Sequence, residues 1–284
     1  MNNIVQAMQL PVEKLRPFEG HPFQVKDDAE MDQLVFSILT QGLLTPISVR
    51  PIENGEYEVI SGHRRLHACK KAGIETVSAL IYSLDRDAAT IAMVDSNLHR
   101  EKILPSEKAF AYKMKLEALK HQGKAALSQV ATKSGRVDTA SVIGEQAGES
   151  RDQVFRYIRL TSLVPPLLKL VDEGRIAFSP AVELSYLTKE EQAELWDLIE
   201  QEDATPSLSQ AIRMKQLSRM AKLTPEAIYA IISEEKPNQK EQVRFKTESL
   251  KKYFPSNYST QQMEKAILKL LEDRYRSKHR GQER

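Results

Sequence analysis

Apolar residues between positions 28 and 41 recur at helical spacing. Met31, Leu34, Val35, Ile38 and Leu39 share one face, and Gly42 follows as a stop. Ile47 to Arg50 then reads as a short strand closed by Pro51. Asn54-Gly55 is a hairpin turn signal, and Tyr57 to Ile60 is the returning strand. A helix over about Arg64 to Lys71 with Gly73 just beyond it, a strand over Ala79 to Tyr82 and a helix over Asp87 to Val94 complete a mixed α/β pattern. After residue 104 the strand signals fade. Pro105, Ser106 and Glu107 open a helix that carries Ala109, Tyr112, Leu116 and Leu119 on one side, and Gly123 is read as its end. Residues 124–137 are polar and small and read as a loop or a weakly formed helix; helices then follow to about residue 222.

Thr188 and Glu191 form a capping-box pattern, and Ser259 with Gln262 forms another. The second opens a helix with Met263, Ile267, Leu270 and Leu271 on one face. Between the two, Glu234 to Gln242 is polar, contains Pro237 and is the best linker candidate. The chain therefore divides into an α/β unit at 1–104, a helical unit at 105–222, a helix and linker at 223–242 and a small segment at 243–284. The fold class is α+β.

Composition changes this picture little. The chain has 284 residues, of which 41% are hydrophobic and 28% charged, as in an ordinary soluble protein with a real core. Its net charge is only +2, so any nucleic-acid partner must be met by locally gathered cations. One such gathering is the tail, where Arg274, Arg276, Lys278, Arg280 and Arg284 face a single acid, Glu283. It suits either a DNA backbone or a solvated end. The single cysteine, Cys69, excludes an internal disulfide and is expected to be a small buried thiol. The first twenty residues lack a basic segment followed by a long apolar run, and no stretch approaches the roughly 18 apolar residues that cross a bilayer. A cytoplasmic location is expected.

Residues 138–160 read DTASVIGEQAGESRDQVFRYIRL and have the layout of a helix-turn-helix. The first helix carries Val142, Ile143 and Ala147 and stops at Gly148. Ser150 caps the second, with Gln153 at the reciprocal position. Gly144 sits where the helices cross, and Val154 and Tyr157 face inward. The outward residues Arg151, Asp152, Gln153, Arg156 and Arg159 begin in the first turn, where recognition helices present base-reading side chains. Arginine can fork onto guanine and glutamine onto adenine. Arg151, Gln153 and Arg156 are therefore candidates for base contact, with Ser150 at the helix start and Arg159 on phosphate. A plain helical hairpin with a solvated basic face would carry the same charges.

Residues 60–72 read ISGHRRLHACKKA: a strand ends, Gly62 turns the chain, and a helix begins with Arg64 and Arg65. A helix start offers free amides and partial positive charge to an anion, and two arginines add charge-assisted donors. Alone this is a common surface feature. It has company, however, in LRPFEGHPFQV (15–25), GLLTPISVR (42–50) and SNLHREKILPSEKAFAY (96–112).

In that order these segments resemble the boxes of the ParB/RepB-type partition proteins. The first is similar to the family's proline-rich box and the second to its Gly-x-x-x-Pro-Ile-x-Val segment. SGHRRLHA resembles the Gly-Glu-Arg-Arg-x-x-Ala phosphate box, and the last resembles Glu-Asn-x-x-Arg-x-x-Leu-x-Pro-x-Glu-x-Ala. The likeness spans about residues 8–220. It implies a ParB/sulfiredoxin-like N-terminal domain that binds CTP, loads onto a centromere-like DNA site, closes as a clamp and slides. By position, Gly62, Arg64 and Arg65 would hold the triphosphate, with His63 as a polar pocket residue. Asn97 and Arg100 would lie near the phosphates and a Mg²⁺ ion, Asn97 as the metal contact, and Leu44, Thr45 and Pro46 near the base. The resemblance also implies a homodimer and a ParA-type ATPase partner.

Two departures bear on turnover. The phosphate-box glutamate is His63 here, and the glutamate before Asn97 is Ser96, with Asp95 adjacent as the candidate to replace it. The competing reading is a helix-turn-helix regulator of a mobile element that does not turn over nucleotide. A metabolic kinase or sulfiredoxin activity fits less well, because the phosphate box lacks a reactive cysteine and a helix-turn-helix is attached. His63, His67 and His99 lie near the boxes but offer no fourfold Cys/His set for zinc. Trp196, between Leu195 and Leu198, is expected in the core. The segment from 243 is suitable in size for dimerisation, although its match to the family is poor.

Overall fold

In the computed structural model, residues 4–100, 102–129, 139–234, 250, 252–255 and 258–280 are described. The chain separates into two compact units, residues 1–234 and 235–284.

The first unit begins with β1 (Ile4–Pro11), a short 3₁₀ turn and β2 (Leu15–Arg16), followed by α1 (Ala29–Gln41), β3 (Ile47–Pro51), β4 (Tyr57–Ser61), α2 (His63–Lys71), β5 (Thr76–Tyr82) and α3 (Arg86–Leu98). The strands form one mixed sheet in the order β1-β5-β3-β4-β2. β1 runs antiparallel to β5, with Leu10 opposite Val77, and β5 parallel to β3, with Ile81 opposite Val49. β3 and β4 form the expected hairpin, Val49 opposite Val59, through a turn in which Asn54 takes the left-handed conformation at φ 63°. β1 is absent from the hydrophobic pattern because residues 6–9 are exposed, with Leu10 buried after them.

Alternation along β4 sets the two faces of the sheet. Val59 packs with Met31, Ile38, Leu66 and Cys69 under α1 and α2. Ile60 packs on the other side with Phe18, Phe23, Met93 and Val94. Glu58 shares that second side and is buried. It accepts from the Glu19 amide at 3.0 Å and from Arg50 at 2.7 Å, and it pairs with Arg86 of α3. Burial alone would raise its pKa, but the Glu19 amide, Arg50 and Arg86 hold it below the usual carboxylate range. α1 ends at Gly42 as expected, but Leu39 points outward at 59% exposure.

Helices follow from there: α4 (Pro105–Gln129), α5 (Thr139–Ala147), α6 (Arg151–Leu160), α7 (Pro165–Asp172), α8 (Phe178–Leu184), α9 (Lys189–Glu202), α10 (Leu208–Arg219) and α11 (Pro225–Ile232). Gly123 does not end α4: it keeps a helical φ, and the helix runs to Gln129. The reading of 130–137 as a loop lies outside the described residues. α3 is likewise four residues longer than expected, reaching Leu98, and the Asn97 side-chain amide donates to the Met93 carbonyl at 2.8 Å. The helical core gathers Leu160, Leu167, Leu184, Leu195, Ile199 and Met214, with Trp196 half-buried against it. α11 joins this core through Ile228, Ile231 and Ile232, while the linker at 235–242 lies outside the described residues. The Thr188–Glu191 capping box closes in both directions.

The second unit contains α12 (Thr260–Arg280), opened by the expected Ser259–Gln262 box. Met263 is buried, whereas Leu270 and Leu271 are exposed. Beyond Tyr275 the side chains of the basic tail lie outside the described residues. Among the described residues no helix is long and apolar enough to cross a membrane.

Candidate functional site

The strand-turn-helix at β4–α2 is built as the phosphate-box pattern suggests. Gly62 takes φ 103°, a left-handed conformation that L side chains rarely adopt, and a Cβ there would meet the Arg65 guanidinium at 3.0 Å. The two arginines that follow part company. Arg65 turns back and donates to the carbonyls of Thr45 and Pro46, at 2.5 and 2.8 Å. It therefore fixes the 44–46 loop onto α2, and its burial lowers its pKa. Arg64 turns outward, with only long contacts to Asp28 at 3.5 Å and Glu30 at 3.4 Å.

Arg64 and Arg100 both line a polar cleft of about 480 Å³. Lys26 and Lys102 add two more cations to its lining, and Asp28, Glu30 and Glu107 add three acids. Arg100 has a lowered pKa, chiefly through burial and partly through the charge of Arg64, with Glu107 opposing. Two guanidiniums that repel each other across one cleft are an arrangement an anion relieves. Buried Glu107 organises the wall: it accepts from the Gln24 amide at 2.8 Å and the Leu104 amide at 3.1 Å.

The other sequence-predicted residues sit around this cleft without lining it. His63 is buried; its Nε2 accepts from the Phe18 amide at 3.2 Å and its ring lies 3.7 Å from that of His21. Burial, with the neighbouring charges of His21 and Arg100, drives its pKa down to about 3, so it is neutral. His63 pins the 17–23 segment to α2. Asn97 is buried with its amide on its own helix, and exposed Leu44, with Thr45 and Pro46, is set behind Arg65. Asp95 forms an ion pair with Lys115 of α4, and Ser96 bonds the Met93 carbonyl at 2.9 Å. Lys26, Lys102 and Glu107 carry no motif that marks them as site residues. They are ordinary charged residues within or flanking the boxes, and only folding brings them to one cleft.

The second candidate site is the α5–α6 pair. Gly144 is the contact point: a Cβ there would lie 2.5 Å from the Glu149 carbonyl oxygen. Ser150 caps α6, its Oγ accepting from the Gln153 amide at 3.2 Å. The reciprocal half of that box does not form. The Gln153 side chain instead accepts from Arg156 at 3.3 Å, and Arg156 also donates to Ser179 at 2.9 Å. Val154 is buried and Tyr157 half-buried. Arg159 donates to the Ser185 carbonyl at 2.7 Å. Arg151 is exposed at the helix start, beside Phe155. Lys108 and Tyr112 of α4 both grip Glu149, the residue before the cap, Tyr112 at 2.9 Å.

A mixed sheet with a polar cleft and a following helix pair fits the class that the sequence match gives: residues 1–98 match the ParB N-terminal domain. The chain is also 31% identical over 236 residues to the nucleoid occlusion protein of Bacillus cereus strain B4264, covering 83% of this chain and 70% of that one. It belongs to the ParB family. Among solved structures it is similar to C-terminally truncated ParB of Caulobacter crescentus complexed to the centromeric parS site, at 22% identity, 75% and 99% coverage and TM-score 0.43. It is also similar to that protein complexed with CTP-γ-S, at 24% identity, 69% and 99% coverage and TM-score 0.32.

Proposed function

We propose that this chain is a DNA-binding partition protein whose hold on a centromere-like site is controlled by CTP. The observation that carries the reading is Arg64, presented by a left-handed Gly62 at a helix start and lining one polar cleft with Arg100. A triphosphate fits that donor set, and Gly62 leaves the turn open where a side chain would intrude. Mg²⁺ would neutralise part of the triphosphate charge; Asn97, the residue the resemblance gives as its contact, is buried with its side-chain amide on the Met93 carbonyl and does not line this cleft. In this chain Arg64 and Arg100 bind phosphate, Arg65 shapes the 44–46 loop near the base, and His63 holds the 17–23 segment.

The nucleotide role belongs to residues 1–104 and DNA recognition to 105–222. Arg151 and Gln153 read bases from the first turn of α6. Arg156 and Arg159, oriented by Ser179 and the Ser185 carbonyl, complete the contact. Nucleotide binding closes a homodimeric clamp, with the segment from 243 as the dimerisation element and a ParA-type ATPase as partner. One observation favours binding without turnover: Asp95, the candidate to replace the family glutamate, is already paired with Lys115. That leaves the regulator reading as the alternative.

The test is CTP binding and hydrolysis by the full chain, with and without cognate DNA, beside Arg64→Ala. CTP-selective binding lost in Arg64→Ala supports the reading, and DNA-stimulated hydrolysis would remove the objection from Ser96. Folded, DNA-binding protein that binds no nucleotide would put the regulator in its place.

A further inference from the structure

Tyr186, just beyond α8, collects cations from two helices. Lys215 Nζ of α10 lies 3.9 Å from its ring centroid, the Arg159 guanidinium of α6 4.1 Å and the Arg219 guanidinium of α10 5.9 Å. One carboxylate is in contact with the group, Glu183, which pairs with Lys215 at 2.7 Å. The ring is 43% exposed. It forms one wall of a groove of about 470 Å³ beside α6, lined also by Lys113 of α4 and by Phe155, Arg156 and Ser162.

Cations drawn to one ring repel one another, and a ring face offsets this by only about 0.5–2 kcal/mol per contact. Such a cluster is best neutralised by a run of anions. The groove is lined by Phe155, Arg156 and Arg159 of α6, the helix that the DNA-binding reading places against the duplex. Arg159 is anchored to the Ser185 carbonyl, whereas Lys113 and Arg219 are exposed. Lysine acts as a point charge with no base-reading fork, which suits phosphate.

We propose that this groove is a landing site for the phosphodiester backbone of duplex DNA outside the helix pair itself. Lys113 in the groove lining, and Lys215 and Arg219 beside the Tyr186 ring that walls it, meet phosphates, and Tyr186 is a positioning residue that holds Arg159 and Lys215 in place. The proposal rests on the DNA-binding reading above and adds contacts from α4 and α10 that the helix-turn-helix pattern does not contain.

The test is the salt dependence of DNA affinity for the full chain and for Lys113→Gln/Arg219→Gln, on a cognate and a random-sequence duplex. Both positions are exposed, and an unchanged Tm checks that the variant folds. Each phosphate contact contributes about 0.9 to the slope of log K against log salt, so the double variant is expected to lose roughly 2 from that slope on both duplexes. A wild-type slope in the variant would overturn the proposal and leave DNA binding by α6 intact. A loss confined to the cognate duplex would also overturn it, because the residues would then read sequence. Wild-type protein that binds neither duplex would remove this proposal and the DNA-binding reading together.

Discussion

Lys115 of α4 is 1% exposed and pairs with Asp95 of α3, while its amine also reaches the Gln146 side chain of α5. The pair is asymmetric, because the Asp95 side chain is 42% exposed. An aspartate left alone there can return to water; a lysine left alone cannot.

This asymmetry fixes an order of stabilities. Asp95→Ala strands a buried cation and is expected to cost about 3 kcal/mol or more. Lys115→Met keeps the packing volume and is expected to cost roughly 1–2 kcal/mol. Urea unfolding of both variants checks this. The reverse order, or a neutral Asp95→Ala that abolishes Mg²⁺-dependent turnover, would return Asp95 to the metal site.

Arg64 and Arg65 should separate cleanly. Arg65→Ala removes two charge-assisted bonds to the Thr45 and Pro46 carbonyls and is expected to cost about 2–3 kcal/mol. Arg64 has only long contacts with carboxylates that are themselves well exposed, so Arg64→Ala should change stability by less than about 0.5 kcal/mol while abolishing nucleotide affinity. Thermal unfolding beside calorimetric titration with CTP distinguishes them. Equal stability losses would refute the division of labour.

Two glycines should respond oppositely to alanine. Gly144→Ala drives a Cβ into the Glu149 carbonyl and is expected to destabilise by about 1–3 kcal/mol and weaken binding to every duplex. Gly123 is helical with open space around its would-be Cβ, so Gly123→Ala should stabilise by up to about 1 kcal/mol. Chemical denaturation reads both signs.

The adjoining pair His21 and His63 makes stability depend on pH. Burial lowers the first to about 4 and the second to about 3, from an ordinary 6.5. Between those limits the unfolded chain binds more protons than the folded one, so stability rises with pH there and levels off above about 7. On acidification below about 6.5 it should fall by on the order of 1 kcal/mol per pH unit for each histidine neutral only when folded. His63→Gln should flatten the profile measured by urea unfolding between these limits; an unchanged slope would assign it to other groups.

The elements of the sheet were legible where local rules act alone. The β3–β4 hairpin follows from Asn54-Gly55, α1 from its apolar stripe and Gly42, and α6 from Ser150. What failed needed tertiary context. β1 has little apolar alternation because its stability comes from pairing with β5. Gly123 reads as a stop but is carried through by the helix around it. At the site, Gly62 and the arginine pair were visible as a motif, yet only the fold sends Arg65 to the carbonyls and Arg64 to the cleft. Lys26, Lys102 and Tyr186 had no signature at all, because their roles lie in which distant elements they meet.

α4 begins with two neighbours that answer to different sites. Glu107 anchors the cleft wall through the Gln24 and Leu104 amides, and Lys108 holds Glu149 at the threshold of α6. One peptide unit separates them. The two contacts thus lie on the same first turn of α4, so the cleft wall and the threshold of α6 have one backbone segment as their common support.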